Sequence, residues 1–303
     1  MNIKEKLLYC LTPVVFIGLF FCAILPVGAQ DSSSVWEISK NGNTMFLGGS
    51  VHILRAEDFP LPEQFDYAFE QSSMLVLETD VDKISDPAIM QYLMTQMILP
   101  DGKTLKTILS PETYSALKAK CEEAGLPIEF VSRLKPAITM LMLTMTEIEK
   151  EGFMQEGVDT YYQKKAKDVN KPLYSLETIE TQVEALLTIG EGNEDEFVKY
   201  SLEGLENSTM NVAAIVSDWR EGNSESEESE LMELKEDSPE IYNALMLNRN
   251  NAWMPQLEEF LTTSPIEFVI VGLAHLHGPD GLLIQLKNSG CTIKQVTKTQ
   301  LEK

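Results

Sequence analysis

All three histidines of this 303-residue chain lie in two short glycine turns. One turn, GSVH at residues 49–52, ends in His52. The other, GLAH at residues 272–275, ends in His275, and His277 follows two residues later. Imidazole nitrogens can ligate a divalent metal or transfer a proton, and both functions normally need a carboxylate close by. The sequence therefore predicts a chemical site on His52 and His275, although a histidine at a strand end can also be a structural hydrogen-bond donor.

Two carboxylates, Glu78 and Asp80, end the apolar run SMLVLETDV and are the natural partners for these histidines. Two histidines and one carboxylate with open coordination positions can hold an ion that acidifies a water molecule for hydrolysis. These ligand types suit several divalent metals, so the residues leave the identity of the metal open. His277 is a further candidate ligand if its turn is extended, and it can equally point away.

The elements that must position these residues form an α/β pattern. The segment VWEISKNGNTMFLGG alternates around Asn41 and Gly42, a strong signal for a β-hairpin. Buried strands are indicated by SMLVLETDV and EFVIVG, and a long amphipathic helix that carries Arg249 precedes the second of them. Because open α/β sheets place their sites at the carboxyl ends of strands, we expect His52 and His275 to face each other at one edge.

The fold class follows from this order of elements. We predict an α/β fold with a mixed central sheet, built from both ends of the chain and flanked by many helices. The middle third has helical periodicity, and Ser110 and Pro111 are typical of a helix start. Because no low-complexity linker divides the chain, residues 30–303 are predicted to form a single domain.

Residues 1–29 have the pattern of a secretory signal peptide. Lys4 and Lys6 precede an apolar run, and Val27, Gly28 and Ala29 resemble a cleavage site. We therefore expect a mature chain that begins near Gln30, has no stable membrane span and is periplasmic or secreted.

The net charge argues against one class of partner, and the cysteine content against one kind of metal site. The formal net charge of −23 argues against a nucleic-acid partner, because phosphate binding needs a basic surface. After the expected leader only Cys121 and Cys291 remain, and with no CxxC motif a structural zinc knuckle is excluded. We predict that these two cysteines are free or buried thiols rather than a disulfide.

Five segments of the chain resemble the TraB/PrgY/GumN group, whose animal relatives are the Tiki membrane proteases. Together they extend over nearly the whole predicted mature chain and are far more specific than either glycine turn alone. They are FLGGSVHIL, SSMLVLETD, EGVDTYYQKKAKDVNKPLYSLETIETQ, LNRNNAWMPQLEEFL and FVIVGLAHLHGPDGLLIQLKNSGCTIKQV. The resemblance implies a mixed sheet wrapped in helices, in two pseudo-symmetric halves, similar to the erythromycin-esterase and ChaN-like folds.

The resemblance also implies which residues form the site. Carried onto this sequence, they are His52, Glu78 and His275, with Arg249 as a fourth polar member. His52 and His275 would be metal ligands, and Glu78 a third ligand or the base that takes a proton from water. Arg249 would hold a substrate carboxylate or stabilise an oxyanion, or it would only form an ion pair. Glu177 lies in a segment that matches the family, but a role as a helix cap or in a buried hydrogen bond explains its presence equally well.

The function implied by the resemblance is that of an exported, metal-dependent peptidase, with manganese or cobalt favoured and zinc also suited to the ligands. Two alternatives remain open. One is a metal-free, esterase-like hydrolase that uses histidine as base with glutamate as its partner. The other is a regulatory protein that binds a peptide or small molecule without cleaving it. The sequence predicts no oligomeric state.

Overall fold

A computed structural model of the chain describes residues 32–154, 156–205 and 208–301. The predicted signal peptide, residues 1–29, lies outside these residues. None of the helices described is long and apolar enough to cross a membrane. The described residues group into two compact units: Val81–Phe153 with Ile179–Val212, and residues 32–80 with Met154–Thr178 and 213–301. A single domain over residues 30–303 stays a prediction.

The larger unit, residues 32–80, Met154–Thr178 and 213–301, contains a six-stranded mixed sheet. In chain order the strands are β1 Ser32–Lys40, β2 Asn43–Ser50, β3 Leu54–Arg55, β4 Met74–Leu77, β5 Phe153–Met154, β6 Leu173–Ser175, β7 Glu267–Gly272 and β8 Thr292–Thr297. The two-residue strands β3 and β5 lie outside this sheet, whose order is β6-β4-β7-β2-β1-β8. Strands β6, β4, β7 and β2 run parallel, whereas β1 is antiparallel to both β2 and β8. The predicted mixed α/β sheet, with strands from both ends of the chain side by side, is confirmed.

The register of the parallel strands decides where the site lies. The predicted hairpin between β1 and β2 turns at Asn41 and Gly42, which have φ values of 54° and 89°. In the next pair, Ser50 at the end of β2 lies opposite Gly272 at the end of β7. Strand β4 flanks β7 on its other side and ends at the same edge. Both glycine turns therefore leave the sheet at one edge, on neighbouring strands.

Helices make up most of the remaining structure. In chain order they are α1 Glu63–Gln71, α2 Pro87–Gln96, α3 Leu105–Ile108, α4 Pro111–Glu123, α5 Ile128–Val131, α6 Pro136–Lys150, α7 Val158–Asp168, α8 Ile179–Leu187, α9 Glu194–Gly204, α10 Ser208–Glu221, α11 Glu225–Asp237, α12 Pro239–Tyr242, α13 Asn248–Phe260, α14 Leu282–Asn288 and α15 Lys298–Leu301. Short 3₁₀ segments span Ala56–Asp58, Val81–Ser85 and Leu273–His275. As predicted, Ser110 caps α4, because its hydroxyl accepts the Thr113 N–H at 3.2 Å.

The segment that carries Arg249 is not the single amphipathic α-helix that its sequence predicts. A π-helical segment, Asn243–Leu247, separates α12 from α13. The wider π turn changes the direction in which the following side chains project, and such segments are frequent at functional sites. Arg249 is the second residue of α13, directly after this segment.

Cys121 and Cys291 are both buried and free, which confirms the prediction. Burial is the main cause that raises the pKa of the Cys121 thiol, to about 11. The thiol therefore stays protonated at neutral pH, and a protonated thiol is a weak nucleophile. Cys291 has the Ser289 hydroxyl 3.6 Å from its sulfur.

Trp219, in α10, holds the end of β2 in place. Its side chain is completely buried, and its indole N–H donates to the Gly49 carbonyl at 2.7 Å. The Trp219 carbonyl in turn accepts the Ser34 hydroxyl of β1 at 2.9 Å. A buried carbonyl without a donor costs free energy, so these bonds tie α10 to the first two strands.

Replacing Trp219 with phenylalanine removes the indole N–H and leaves the Gly49 carbonyl without this donor. We expect the free energy of unfolding to fall by about 1–3 kcal/mol, measured by urea denaturation. Phe130→Leu is the control, because Phe130 is 57% exposed, and surface substitutions change stability by less than about 0.5 kcal/mol. Equal stability of Trp219→Phe and the wild type would show that the end of β2 does not depend on this bond.

Candidate functional site

Four parallel strands deliver polar side chains to the same edge of the sheet. His52 lies two residues after β2, Glu78 directly follows β4, and Glu177 lies two residues after β6. His275 ends the 3₁₀ turn that follows β7. The carboxyl ends of neighbouring parallel strands meet at one edge, which explains how residues far apart in sequence come together.

Three of these side chains converge on Gly272. A Cβ atom at this position would lie 3.2 Å from Glu78 Oε1, 3.4 Å from His52 Nε2 and 3.6 Å from His275 Cδ2. The Gly272 N–H also donates to Glu78 Oε1 at 2.6 Å. The structure therefore brings His52, Glu78 and His275 around one point, and the lack of a side chain on Gly272 keeps that point open.

His52 is oriented by Asp159, in the first turn of α7. The two are joined by a bond of 3.2 Å between His52 Nδ1 and Asp159 Oδ1, and the Ser50 hydroxyl donates to the same oxygen at 2.8 Å. A carboxylate can only accept here, so Nδ1 carries a proton and Nε2 is the nitrogen at the site. Burial opposes the charged imidazole, but Asp159, with a smaller effect of Glu78, outweighs burial and raises the pKa of His52 to about 9.

Gly157 allows α7 to start against the backbone of His52. A Cβ on Gly157 would lie 2.3 Å from the His52 carbonyl carbon and 2.4 Å from the Val51 oxygen. The Val158 N–H donates to that same Val51 oxygen at 3.1 Å. Because backbone atoms cannot move aside as a flexible side chain does, this contact requires glycine and fixes Asp159 beside the imidazole.

Glu78 is a buried carboxylate that stays ionised. Burial raises its pKa, but Arg249 and the two histidines, with the Gly272 N–H, outweigh burial and hold the pKa well below its usual range. A carboxylate with so low a pKa is a weak base, since the efficiency of a general base rises with its pKa. In this arrangement Glu78 is better suited to hold a cation than to accept a proton from water.

Arg249 is buried between two carboxylates. Its Nε and Nη2 donate to Glu177 Oε1 at 3.1 and 2.6 Å, and Nη2 also donates to Glu78 Oε2 at 2.6 Å. Its Nη1 donates to the Leu245 carbonyl at 3.2 Å and to His275 Nε2 at 2.9 Å. These bonds engage all three guanidinium nitrogens, so the ion-pair alternative describes the geometry, and binding a substrate carboxylate or an oxyanion needs a change of partner.

The pKa values of this ion pair follow from burial and charge. Burial raises the pKa of Glu177, and Arg249 counteracts only part of that rise. For Arg249, burial opposes the charge, but Glu78 and Glu177 raise its pKa further. The guanidinium is therefore charged at every ordinary pH.

His275 is neutral, with both ring nitrogens engaged. Its Nδ1 lies 2.6 Å from Asn250 Oδ1, and because an amide oxygen accepts, Nδ1 carries the proton. Its Nε2 accepts from Arg249. Burial, helped by the charge of Arg249, lowers the pKa of His275 to about 3. The Trp253 ring lies 4.5 Å from the imidazole and 4.8 Å from the guanidinium carbon, so it packs against both groups.

Two other residues that the sequence associates with the site have different surroundings. Asp80 accepts a hydrogen bond from Gln163 Nε2 at 2.8 Å. His277 packs edge-on against Trp36 of β1 at 5.4 Å, and its Nδ1 lies 3.7 Å from Glu228. His277 is thus placed against the sheet and α11 rather than beside Gly272.

Sequence reasoning did not identify Asp159, Asn250 or Trp253. Trp253 lies four residues after Arg249, so helical spacing from that arginine is a signal that points to it. Asn250 directly follows Arg249, and helical spacing gives no such signal for it. Asp159 lies in the segment EGVDTYY, between a glycine and two aromatic residues, where an aspartate is also typical of a helix N-terminus. Its contact with His52 is visible only in the fold.

The side chains around Gly272 are of the types that ligate divalent metals. Their arrangement in this structure, however, does not leave three donor atoms available. His52 Nε2 and Glu78 Oε1 face one point, and each residue is oriented by a second partner, as metal ligands usually are. The third donor, His275 Nε2, is engaged by Arg249. Accordingly, the described part of the chain contains no group of three or more His, Cys, Asp or Glu side chains arranged to hold a metal.

Comparison with known proteins finds relatives of low sequence identity. Metalloprotease TIKI1 of Xenopus tropicalis is 25% identical over 191 residues, which cover 54% of this chain and 37% of the frog protein. Human metalloprotease TIKI1 is 25% identical over 195 residues, which cover 56% of this chain and 38% of the human protein. The uncharacterized protein YbaP of Escherichia coli K12 is 25% identical over 249 residues, 81% of this chain and 89% of YbaP. No solved structure matches the chain significantly.

The family profile gives the broadest match. The profile described as the TraB/PrgY/gumN family matches residues 34–295, and so confirms the resemblance carried by the five segments. This range runs from the first strand of the six-stranded sheet to the last and contains every residue around Gly272. The chain therefore belongs to the TraB/PrgY/gumN family.

Proposed function

We propose that this protein is a metal-dependent peptidase whose ligands are His52, Glu78 and His275. The observation that carries the proposal is the convergence of these side chains at Gly272. Glu78 Oε1, His52 Nε2 and the ring carbon Cδ2 of His275 lie within 3.6 Å of the position that a Cβ would take there, and His275 Nε2 lies 3.9 Å from Glu78 Oε1. The similarity to two proteins named as metalloproteases supports hydrolysis of peptide bonds as the reaction. The leader expected for residues 1–29 supports a periplasmic or secreted location.

The chemistry divides between the ion and the side chains. A divalent ion bound at such a site polarises a carbonyl group and lowers the pKa of a bound water. Asp159 holds His52 by Nδ1, so that Nε2 keeps a fixed direction toward the site. The Gly272 N–H does the same for Glu78 Oε1, and Asn250 does it for the ring of His275. Ligands fixed in this way lose little freedom when the site fills.

The metal-free alternative requires an imidazole that accepts a proton at neutral pH. With a pKa of about 9, His52 is already protonated at that pH in the arrangement described. With a pKa of about 3, His275 is neutral, but the lone pair on its Nε2 accepts a hydrogen bond from Arg249. Neither histidine is therefore poised as a general base in this arrangement. Metal binding would require His52 to release its Nε2 proton, because an imidazole that ligates a metal is neutral.

The first test is metal content. Protein purified without chelator or affinity metal is expected to contain about one manganese, cobalt or zinc ion per chain by elemental analysis. The double variant His52→Ala, His275→Ala should lose this metal. His277→Gln is the matched control and should retain it, because His277 packs against Trp36 instead. No metal in any sample, even after incubation with added ions, would overturn the metal-dependent proposal.

The second test concerns peptide cleavage, followed by mass spectrometry on a peptide mixture at fixed manganese concentration. We expect Asp159→Asn to lower activity by about 10- to 100-fold, because it removes the carboxylate that orients His52. Asp80→Asn is the control, and we expect its activity to equal that of the wild type, since Asp80 bonds to Gln163. Unchanged activity of Asp159→Asn would refute the positioning role. A metal-loaded wild type that binds peptides but cleaves none would favour a regulatory binding protein.

A further inference from the structure

We infer that Arg249 is an internal cation that competes with the metal, and that the metal gains His275 only when the guanidinium leaves His275 Nε2. This inference rests on the proposed function, because it concerns the same site. It assigns Arg249 a role that differs from binding substrate: it holds the site closed to cations until it is displaced.

The first step is the hydrogen bonding of the imidazole. His275 Nδ1 is protonated and donates to Asn250, so Nε2 has the one lone pair that the ring can offer in its plane. That lone pair accepts the N–H of Arg249 Nη1 at 2.9 Å. A lone pair that accepts a hydrogen bond cannot bind a metal ion at the same time. Arg249 and the metal are therefore alternative partners of His275.

The positive charge of Arg249 also opposes a metal ion at this site. The other amino group of the same guanidinium lies 2.6 Å from Glu78 Oε2, while Glu78 Oε1 faces the open point at Gly272. A divalent ion at that point would share Glu78 with a cation, and like charges repel strongly in a buried site. Loss of the bond between Arg249 and Glu78 moves the guanidinium charge away from the metal position and so reduces this repulsion.

The guanidinium keeps other hydrogen-bond acceptors if it leaves His275 and Glu78. Glu177 accepts from both Nε and Nη2 of Arg249, and it contacts neither Gly272 nor the two histidines in the bonds described. The Leu245 carbonyl, in the π-helical segment, accepts from Nη1. Arg249 can therefore give up His275 and Glu78 and remain a paired, hydrogen-bonded cation. This pairing avoids the large free-energy cost of an unpaired charge in a buried site.

The experiment measures binding of Mn²⁺ itself, by equilibrium dialysis and elemental analysis, so that it does not depend on activity. Arg249→Met removes the guanidinium and keeps an unbranched side chain that can pack on Trp253. We expect this variant to bind Mn²⁺ more tightly than the wild type by about tenfold or more, since a like charge has been removed. Arg220→Met is the matched control and should leave affinity unchanged, because Arg220 donates to the Asp58 carbonyl.

A double-mutant cycle separates competition for His275 from a general effect of charge. If Arg249 competes for Nε2, His275→Ala lowers Mn²⁺ affinity by a larger factor in the Arg249→Met background than in the wild type, because there the metal need not displace an arginine. Equal factors in the two backgrounds would show that only the charge of Arg249 matters, and would overturn the inference.

The remaining outcomes distinguish the inference from the proposed function. If the wild type binds Mn²⁺ and Arg249→Met binds it equally or more weakly, the inference is wrong and the peptidase proposal stands. If neither folded protein binds Mn²⁺, both are wrong. If circular dichroism shows that Arg249→Met does not fold, Arg249→Lys replaces it, since lysine keeps the charge without the planar fork. We then expect a smaller gain in affinity, and equal or weaker binding would again overturn the inference.

Discussion

The ion pair of Arg249 with Glu78 and Glu177 is the interaction on which the site depends. The two carboxylates follow neighbouring strands, β4 and β6, and would repel each other at the sheet edge if no cation lay between them. Arg249 bridges them and so fixes the start of α13 against that edge. The same helix then brings Asn250 and Trp253 to His275. Arg249 thus also helps to orient His275, through the helix that carries both the arginine and the two partners of the imidazole.

The buried side chains around Gly272 carry more negative than positive charge. Three carboxylates, those of Glu78, Glu177 and Asp159, face two cationic side chains, His52 and Arg249. Buried charges are tolerated when they are paired and hydrogen-bonded, and every one of these groups has such a partner. The excess is nevertheless negative, and a bound cation would compensate it. A strongly acidic chain adds to that attraction at longer range.

The sequence predicts the features of this site that arise from short-range patterns, and it does not predict those that depend on contacts between distant residues. The Asn-Gly hairpin, the strand before each glycine turn and the convergence of His52 with His275 follow from short-range patterns and from the edge rule for parallel strands. The partner of Arg249 does not, because the direction of its side chain depends on a π-helical segment that breaks an apparently continuous helix. Asp159 was missed for a related reason. Its contact with His52 spans 107 residues and requires α7 to begin against the His52 backbone, which only the close approach of Gly157 reveals.

The position of β7 in the sheet also has a consequence for biosynthesis. This strand, near the end of the chain, lies between β2 and β4, which are both made early. An emerging polypeptide that lacks β7 has no ladder joining those two strands, and it lacks the glycine around which the polar groups meet. Such pairing between distant segments forms slowly and late. A chain able to hydrolyse peptide bonds at this edge would therefore stay inert during translation until β7 has left the ribosome.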